Sequence, residues 1–430
     1  MATTLHDILE NKIPQWRKQL GDLASQHDDT LIDKVTVGQV IGGMRGIRSV
    51  LCDTSTVEPE TGLCVRGIPI KELTAKTPEE IFCLLLTGEL SSAETTRSLK
   101  EEFARRAHVP EHVWKVLAAV AKDTHPMTQL SIGIMAMQSG SKFFRDYNKG
   151  LKKQDYWKPM LEDCLDIIAV TPVIAAEIYR RHFNKGPRIA PDAKLDWSRN
   201  FAAMLGVSDS KGEFAKLMRL FLVLHCDHEG GPVSALSCAV VSSSLSDMYY
   251  SMAAGWNGLA GPLHGRANQE CLAWILELTK QFGGVPGHEQ IKDFINKTLV
   301  SGKVIPGYGH AVLRVPDPRF EAFMDFGKKH CASSDAFQTV SRVFDVAPKV
   351  LSDLGKVKNP WPNVDAASGS LLYHYGLKEF DYYTVLFAVS RCLGLASQTI
   401  LARALGMPLI RPRSVTTQWL SQAVAGKVAV

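Results

Sequence analysis

The chain has 430 residues, of which 45% are hydrophobic and 22% charged, and its formal net charge is +5. This composition is typical of a globular protein with a large core, and the weakly basic balance lacks the dense Lys/Arg stripes of a nucleic-acid-binding protein. No run of about 18 apolar residues is present, so no membrane is expected as a partner. Because the Lys/Arg stripes are lacking, no nucleic acid is expected as a partner either.

Cysteine usage indicates the redox environment. The chain contains nine cysteines, and none of them forms a C-x-x-C pair. An odd number without regular spacing favours a reducing compartment over a disulfide framework. The first residues, MATTLHDILENKIPQW, have no apolar signal core, so they are typical neither of a secretory signal nor of a transit peptide.

In chain order, the first clear signal is a short hairpin. Residues 52–67 contain a turn flanked by β-type runs. Residues 79–107 then predict two helices broken near Gly88. Residues 163–182 predict a helix that the Thr171-Pro172 step should kink or interrupt, because proline lacks the amide donor.

The rest of the chain is dominated by helical periodicity. Apolar residues recur at helix spacing in five further segments: 213–225, 268–282, 318–330, 335–354 and 381–405. Strands do not alternate with helices, so a doubly wound sheet is not expected. The pattern predicts an all-α fold of enzyme size.

Four segments rich in glycine and proline separate these helices, and each carries a titratable side chain. They are residues 228–232, 255–265, 306–318 and 359–369. Polar groups on loops between buried helices are where binding and catalytic sites tend to be built. The candidate residues are therefore His228, His264, His310 and Asp365.

Each histidine also has a simpler interpretation. His225 and His228 are spaced i, i+3, which suits a metal site or a helix C-terminus, where histidine interacts well with the helix dipole. No second pair of ligands is evident, so no metal is expected. His264 alone is more simply a satisfied core histidine, and the glycines before His310 are explained by a turn.

The acidic and basic candidates have structural alternatives as well. Asp365 is placed to be the N-cap of a helix over residues 366–375. Arg314 and Arg319 are equally consistent with surface ion pairs, which contribute little to stability. Taken one at a time, these residues do not decide between a site and a structural role.

Taken together, the motifs favour a functional site over separate structural roles. Three of them occur in order: GPLHG at 261–265, GYGHAVLRVPDPR at 307–319 and PNVD at 362–365. Further matches are DHEGG at 227–231, Arg391, Arg411-Pro412, GGMRG at 42–46 and VRG at 65–67. The chain resembles the citrate synthase family in its long eukaryotic form, and the resemblance extends from about residue 37 to residue 414.

The resemblance implies the architecture and the reaction. A large helical domain comprises residues 1–265 and 378–430, with an inserted small domain at 266–377. The working unit is a homodimer. Acetyl-CoA, oxaloacetate and water give citrate and CoA without a metal or redox cofactor. The implied location is the mitochondrial matrix, and peroxisomal and cytosolic forms remain open.

The resemblance also implies the roles of individual residues. Asp365 is the base that removes the methyl proton, and His264 and His310 are the catalytic histidines. A thioester α-proton is weakly acidic, so its removal requires a placed carboxylate and stabilisation of the enolate oxygen together. His264 is most useful as a neutral hydrogen-bond donor.

Substrate-binding residues follow in the same way. The oxaloacetate carboxylates are bound by His228 and by three arginines, because planar guanidinium groups bind carboxylates in paired hydrogen bonds. The arginines are Arg319, Arg391 and Arg411, the last contributed by the partner subunit. Arg314 faces a CoA phosphate, and the backbone around Val304 and Gly307 lies along the CoA arm.

Two departures from the family pattern, Pro232 and the tail at 415–420, bear on affinity and not on the reaction. A basic residue near Lys153 is a candidate replacement for an arginine of the partner subunit that binds a CoA phosphate. Three alternatives stay open. One is a 2-methylcitrate synthase, which uses propionyl-CoA. The second is a metal-dependent hydrolase built on His225, His228 and Glu229. The third is a non-catalytic scaffold of the same fold.

Overall fold

The computed structural model describes residues 4–355, 357 and 359–428. It is 62% helical with few strands, which confirms the all-α prediction. The helices are α1 (Leu5–His27), α2 (Val37–Ile41), α3 (Pro78–Thr87), α4 (Ala93–Arg106), α5 (Glu111–Ala119), α6 (Pro126–Met135), α7 (Lys142–Asn148), α8 (Trp157–His182), α9 (Trp197–Leu205), α10 (Glu213–Leu224), α11 (Val233–Ser243), α12 (Met248–Leu259), α13 (Ala267–Gln281), α14 (His288–Val300), α15 (Pro318–His330), α16 (Asp335–Asp353), α17 (Asp365–His374), α18 (Tyr383–Ala404) and α19 (Thr417–Val424).

The predicted hairpin is present as a small sheet. It consists of β1 (Ser55–Glu58), β2 (Gly62–Val65) and β3 (Ile68–Pro69). β1 pairs antiparallel with β2, with Ser55 opposite Val65, and β2 pairs antiparallel with β3. The inward side of β1 carries Ser55 and Val57, which are buried. The sheet thereby brings a polar side chain into the interior.

Two long helices form the centre of the core. α18 packs against α3, α8, α11 and α12, and α8 packs in addition against α4, α6 and α9. Both are apolar on most of their faces, as expected of helices that are surrounded by protein. The region Phe380–Ala404 is also long and apolar enough to cross a membrane, but most of it is buried inside this core.

The prediction that Pro172 interrupts its helix is wrong, since α8 runs from Trp157 to His182 without a break. Proline removes the hydrogen bond to the carbonyl four residues earlier, which here belongs to Ile168. The indole Nε1 of Trp197 donates to that carbonyl oxygen at 2.9 Å. A side chain from α9 thus replaces the missing helical bond.

The helices from α13 to α17 pack largely on one another. α13 packs on α16 and α17, α14 on α16, and α15 on α17. Their links to the preceding helices run mainly through α10, which meets α15 and α17. This group contains the loop that carries His310 and the start of α17, which carries Asp365.

Candidate active site

Two loops from different parts of the chain pair with each other through hydrogen bonds. The amide of Gly309 donates to the carbonyl oxygen of Trp361 at 3.0 Å, and the amide of Asn363 donates to that of Gly307 at 2.8 Å. The side-chain amide of Asn363 also donates to the carbonyl oxygen of Gly309 at 3.0 Å. The pairing places His310 beside the start of α17.

His310 is held as a neutral ring with a defined tautomer. Its Nδ1 accepts hydrogen bonds from the amides of Val312 and Leu313, each at 3.1 Å. A nitrogen that accepts from two amides carries no proton, so the proton resides on Nε2. Burial, reinforced by Arg319, lowers the pKa of His310 to about 4. His310 therefore presents an uncharged donor.

His264 is fixed by a shared hydroxyl group. It lies in the turn between α12 and α13, and its Nε2 is 2.9 Å from Oγ of Ser234. Nη1 of Arg391 donates to the same Oγ at 3.3 Å. Among the described residues, His264 Nε2 is the one acceptor in reach of this hydroxyl, so the O–H donates to it and the ring proton resides on Nδ1.

The environment of His264 keeps its ring neutral. Burial lowers the pKa of His264 to about 4, and the positive charge of Arg391 adds to this effect. The interpretation of His264 as a satisfied core residue is not supported, because the ring is only partly buried and its Nδ1 has no partner among the described residues. His264 thus offers a second neutral donor.

Asp365 is the first residue of α17, and Val364 occupies the N-cap position. The N-cap interpretation is therefore wrong. No residue in the described part of the chain donates a hydrogen bond to the Asp365 carboxylate. Burial raises the pKa of Asp365 to about 6, while Arg319 and Arg391 oppose the rise. The result is a carboxylate poised to exchange a proton near neutral pH.

The two buried arginines lie in the same region. Arg319, the second residue of α15, is 4% exposed and pairs with Asp317 through Nη2 at 2.7 Å and Nε at 3.0 Å. It is not the surface ion pair that one interpretation offered. Arg391, on α18, is 1% exposed, and its guanidinium carbon lies 4.8 Å from the ring of Phe387. Burial lowers the pKa of Arg391 to about 10.

His228 completes this cluster. Its ring centroid lies 5.5 Å from that of His310. Burial lowers the pKa of His228 well below its ordinary value, and Arg319, Arg391 and His310 add to the effect. The candidates His228, His310, Arg319, Arg391 and Asp365 therefore influence one another electrostatically. They thus lie close enough together to be candidates for a common site.

The other predicted residues lie at the surface or in the loop. Arg411 is exposed in a segment after α18 that is neither helix nor strand, and it makes no hydrogen bond or ion pair with the described residues. Arg314 is exposed, and its Nη1 donates to the carbonyl oxygens of Val312 and Leu313 at 2.8 and 2.7 Å. Val304 is 77% exposed, whereas Gly307 is buried.

The geometry does not favour a metal site. His225 ends α10, stacks on Phe221 with ring centroids 4.1 Å apart, and contacts the Phe221 carbonyl oxygen through Nδ1 at 3.0 Å. Among the described residues, no group of three or more His, Cys, Asp or Glu side chains is placed to hold a metal ion. His225 is a core residue that caps its helix.

Sequence reasoning missed three residues that organise the site: Ser234, Asp317 and Asn363. Asp317 had a signal, because Asp-Pro before an apolar run is typical of an N-cap followed by proline at the first helical position. Its side chain accepts from the amide of Arg319 at 2.9 Å. Asn363 lies in the PNVD motif, and its Oδ1 accepts from the amide of Asp365 at 3.0 Å, but its bond to Gly309 depends on a loop distant in sequence. Ser234 acts through His264, so no local pattern indicates it.

Comparison with known proteins assigns the chain to a family. The model for citrate synthase, C-terminal domain, matches residues 43–413. Citrate synthase 4, mitochondrial, of Arabidopsis thaliana is 49% identical over 426 residues, covering 97% of this chain and 90% of the relative. The probable mitochondrial citrate synthase of Glossina morsitans morsitans is 46% identical over 433 residues, covering 98% of this chain and 93% of the relative.

Solved structures share the fold. Citrate synthase from Pyrobaculum aerophilum superposes with a TM-score of 0.80 at 25% identity, covering 90% of this chain and 97% of that one. The Thermoplasma acidophilum enzyme, solved as a ternary complex with carboxymethyl coenzyme A and oxaloacetate, gives 0.75 at 24% identity, covering 89% and 97%. With these matches over nearly its whole length, the chain belongs to the citrate synthase family.

Proposed function

We propose that the cleft between the His310 loop, the His264 turn and α17 carries out the family's reaction. Acetyl-CoA condenses with oxaloacetate, and water then hydrolyses citryl-CoA to citrate and CoA. Family membership confirms the activity and enzyme class expected from the sequence. The names of the plant and insect relatives confirm the expected mitochondrial location.

Asp365 is the proposed base. The single observation that carries this assignment is a half-buried carboxylate without a described donor, whose pKa burial raises to about 6. A proton acceptor works best when its pKa lies near the operating pH and its oxygen is free to reach the substrate. Asp365 removes a methyl proton from acetyl-CoA, and the electron pair moves onto the thioester oxygen.

His264 stabilises the enolate that forms. Its Nδ1–H, set by the Ser234 hydroxyl, donates to the thioester oxygen. A neutral imidazole suits this role because its pKa is about 4, and the donor is fixed before charge develops. His310 donates its Nε2–H to the oxaloacetate carbonyl oxygen, which takes up the electron pair when the new C–C bond forms.

Oxaloacetate is held by its two carboxylates. Arg319 and Arg391 are buried cations at this site, and His228 adds a neutral ring beside them. Guanidinium groups in a site of low dielectric constant bind carboxylates strongly and fix their orientation. These steps use proton transfer and charge stabilisation alone, so we include no metal or redox cofactor.

CoA is proposed to lie along the exposed edge of the same loop. Arg314 is exposed, and its guanidinium group bonds to the carbonyl oxygen of Val312 in this loop. Its positive charge is therefore held at the loop edge, where it can contact a phosphate group. The exposed Val304 and the backbone near Gly307 line the adjoining edge. Lys153 of the partner subunit is a further candidate for a CoA phosphate.

The helices α13 to α17 are proposed as the small domain at 266–377, because they pack mainly on one another. Residues 1–265 and 378–430 form the large domain. Residues 1–3 and 429–430 of this division, and residues 356 and 358 of the small domain, lie outside the described residues. The cleft is then an interdomain site.

The dimer is proposed to complete the site through Arg411. In one protomer this arginine is exposed on a segment that is neither helix nor strand, with exposed Leu409 and Ile410 beside it. Mixing two inactive variants, Arg411→Ala and Asp365→Ala, tests this. If sites are shared, a mixed dimer has one site with both defects and one with neither. Recovered activity after subunit exchange is expected; none at all contradicts a shared site.

The activity is tested by thiol release from acetyl-CoA with and without oxaloacetate. Release should require both substrates, and Asp365→Ala should lose about 10² to 10⁴ of the rate with unchanged circular dichroism. An active Asp365→Ala variant would show that the base is another residue. Comparing kcat/KM for acetyl-CoA and propionyl-CoA separates this function from 2-methylcitrate synthesis, with acetyl-CoA expected to be preferred.

A further inference from the structure

Asp227 is a buried carboxylate that lies beside the proposed oxaloacetate site but has no role in the steps above. It is 0% exposed. Its Oδ2 accepts hydrogen bonds from the hydroxyls of Thr54 at 2.5 Å and Ser55 at 2.8 Å. Its Oδ1 accepts from Nε2 of Gln398 at 2.7 Å. Three donors from β1, the residue before it and α18 thus fix one carboxylate.

The same donors hold the backbone on the far side of His228. Ser55 Oγ accepts from the amide of Glu229 at 2.7 Å. Gln398 Nε2 also donates to the carbonyl oxygen of Glu229 at 3.0 Å. Glu229 has a φ of +54°, a left-handed conformation that a residue with a side chain adopts at a cost. Both neighbours of His228 are therefore fixed by Ser55 and Gln398.

The carboxylate also fits a gap in the helix that carries Arg391. Gly394 lies between Arg391 and Gln398 on one face of α18, since residues three, four and seven apart share a face. A Cβ atom at residue 394 would lie 2.4 Å from Oδ1 of Asp227. The amide of Gly394 donates to the carbonyl oxygen of Cys226 at 3.1 Å. Asp227 is thus packed directly against the helix.

Charge gives Asp227 a second link to Arg391. Arg319 has a direct carboxylate partner in Asp317, whereas Arg391 makes no direct ion pair within the described ranges. Asp227 is the acid that most strongly opposes the lowering of the Arg391 pKa by burial. Burial raises the pKa of Asp227 itself, and the hydroxyls of Thr54 and Ser55 and the charge of Arg391 oppose that rise. The carboxylate offsets the buried cation without occupying its hydrogen-bond donors.

We propose that Asp227 is a positioning residue for oxaloacetate. Through Ser55, Gln398 and the gap at Gly394, it sets the places of His228 and Arg391. It also leaves for a substrate carboxylate those Arg391 donors that do not bond to the His225 carbonyl oxygen and the Ser234 hydroxyl. The inference rests on the oxaloacetate-binding roles proposed above for His228 and Arg391.

The variant Asp227→Asn tests this, because it keeps the shape and removes the charge. KM for oxaloacetate should rise about tenfold or more, while KM for acetyl-CoA stays within about threefold. The stabilisation against heat that oxaloacetate gives in the absence of acetyl-CoA should shrink in parallel. An unchanged KM for oxaloacetate, with wild-type enzyme active in the same assay, overturns the inference.

Asp163→Asn is a matched control. Asp163 is also 0% exposed and accepts three hydrogen bonds, from the Ser141 hydroxyl and the amides of Lys142 and Phe143. It lies on α8 and contacts none of the proposed site residues. This variant removes the charge of an equally buried carboxylate and should leave KM for oxaloacetate unchanged. Equal effects of the two variants on KM would reduce Asp227 to a structural role.

A milder pair covers the case in which Asp227→Asn does not fold. Thr54→Val removes one donor to Asp227, and Thr54→Ser keeps it. Thr54→Val should raise KM for oxaloacetate about threefold or more, and Thr54→Ser should restore it. Equal KM values in the two variants overturn the inference. Absence of thiol release in the wild type would instead contradict the proposed function.

Discussion

Gly307 packs so closely against Ala366 that a Cβ atom at residue 307 would lie 2.9 Å from Cα of Ala366. Gly307 also has a φ of +79°, which disfavours any residue with a side chain. Ala366 follows the proposed base, so this contact sets the distance between the His310 loop and Asp365. Close packing at one glycine therefore controls the geometry of the proposed site.

We expect Gly307→Ala to lose activity because the added methyl group pushes Asp365 away from its working position. A displacement of about 1 Å in a catalytic group can cost about 10²-fold in rate. Gly302→Ala is the control, since Gly302 has a φ of +78° and open space where its Cβ would be. It carries the backbone strain without the clash. Similar losses of kcat/KM in both variants would show that strain alone is responsible.

The acid side of the pH profile should report Asp365. Its pKa is raised to about 6, whereas those of His264 and His310 are lowered to about 4. Of these three groups, only the base changes its protonation state between pH 5 and 8, because the two histidines stay neutral. We expect kcat/KM for acetyl-CoA to fall about tenfold per pH unit below about 6. A profile that is flat down to pH 5, with circular dichroism unchanged, would contradict Asp365 as the base.

Local sequence patterns predicted those parts of the fold that depend on neighbouring residues. The prediction of a helix over 318–330 agrees with α15 because Asp317 and Pro318 mark its start. The predicted interruption at Pro172 was wrong because the compensating donor, Trp197, belongs to another helix. Helix periodicity contains no information about such a partner.

The candidate site shows the same division. The motifs indicated His264 and His310, which lie in loops rich in glycine and proline, and Asp365, which begins α17 directly after such a loop. No role was predicted for Ser234, nor for Asp227 although it begins the DHEGG motif, because each acts by bonding to side chains distant in sequence. The tautomer of His264 depends on such a bond, so it can be assigned only from the three-dimensional structure.

The Ser234 hydroxyl should contribute to the rate rather than to stability alone. Ser234→Ala removes the donor that keeps the His264 proton on Nδ1. Loss of one hydrogen bond of about 1.4 kcal/mol in the transition state corresponds to about a tenfold decrease in kcat. Ser237→Ala is the matched control, since the Ser237 hydroxyl bonds to the carbonyl oxygen of Val233 at 2.6 Å on the same helix. If Ser237→Ala lowers kcat equally, the effect arises from α11 and not from His264.

The raised pKa of Asp365 predicts a stability that depends on pH in a defined direction. The folded pKa, about 6, is above the ordinary value of 3.8, so the native state binds the proton more tightly than the unfolded chain does. Ionisation of Asp365 thus destabilises the fold, and this cost grows as the pH rises from about 4 to above 6. The Asp365→Asn variant has no ionisable side chain at this position, so it lacks this free-energy cost of ionisation. Its melting temperature should match that of the wild type near pH 4.5 more closely than at pH 7.5, where the variant should be the more stable protein.

Asp196→Asn should behave in the opposite way. Burial works to raise the pKa of Asp196, but hydrogen bonds from Arg199 and Ser198 and the charge of Arg219 outweigh it and leave the pKa below 3.8. Its stabilising contribution is present above the unfolded pKa and is lost as the pH falls through the lower folded value. At pH 7.5 Asp196→Asn should therefore melt below the wild type. Melting curves that shift in the same direction for both variants would contradict the assignment of Asp365 as a carboxylate kept under strain for proton transfer.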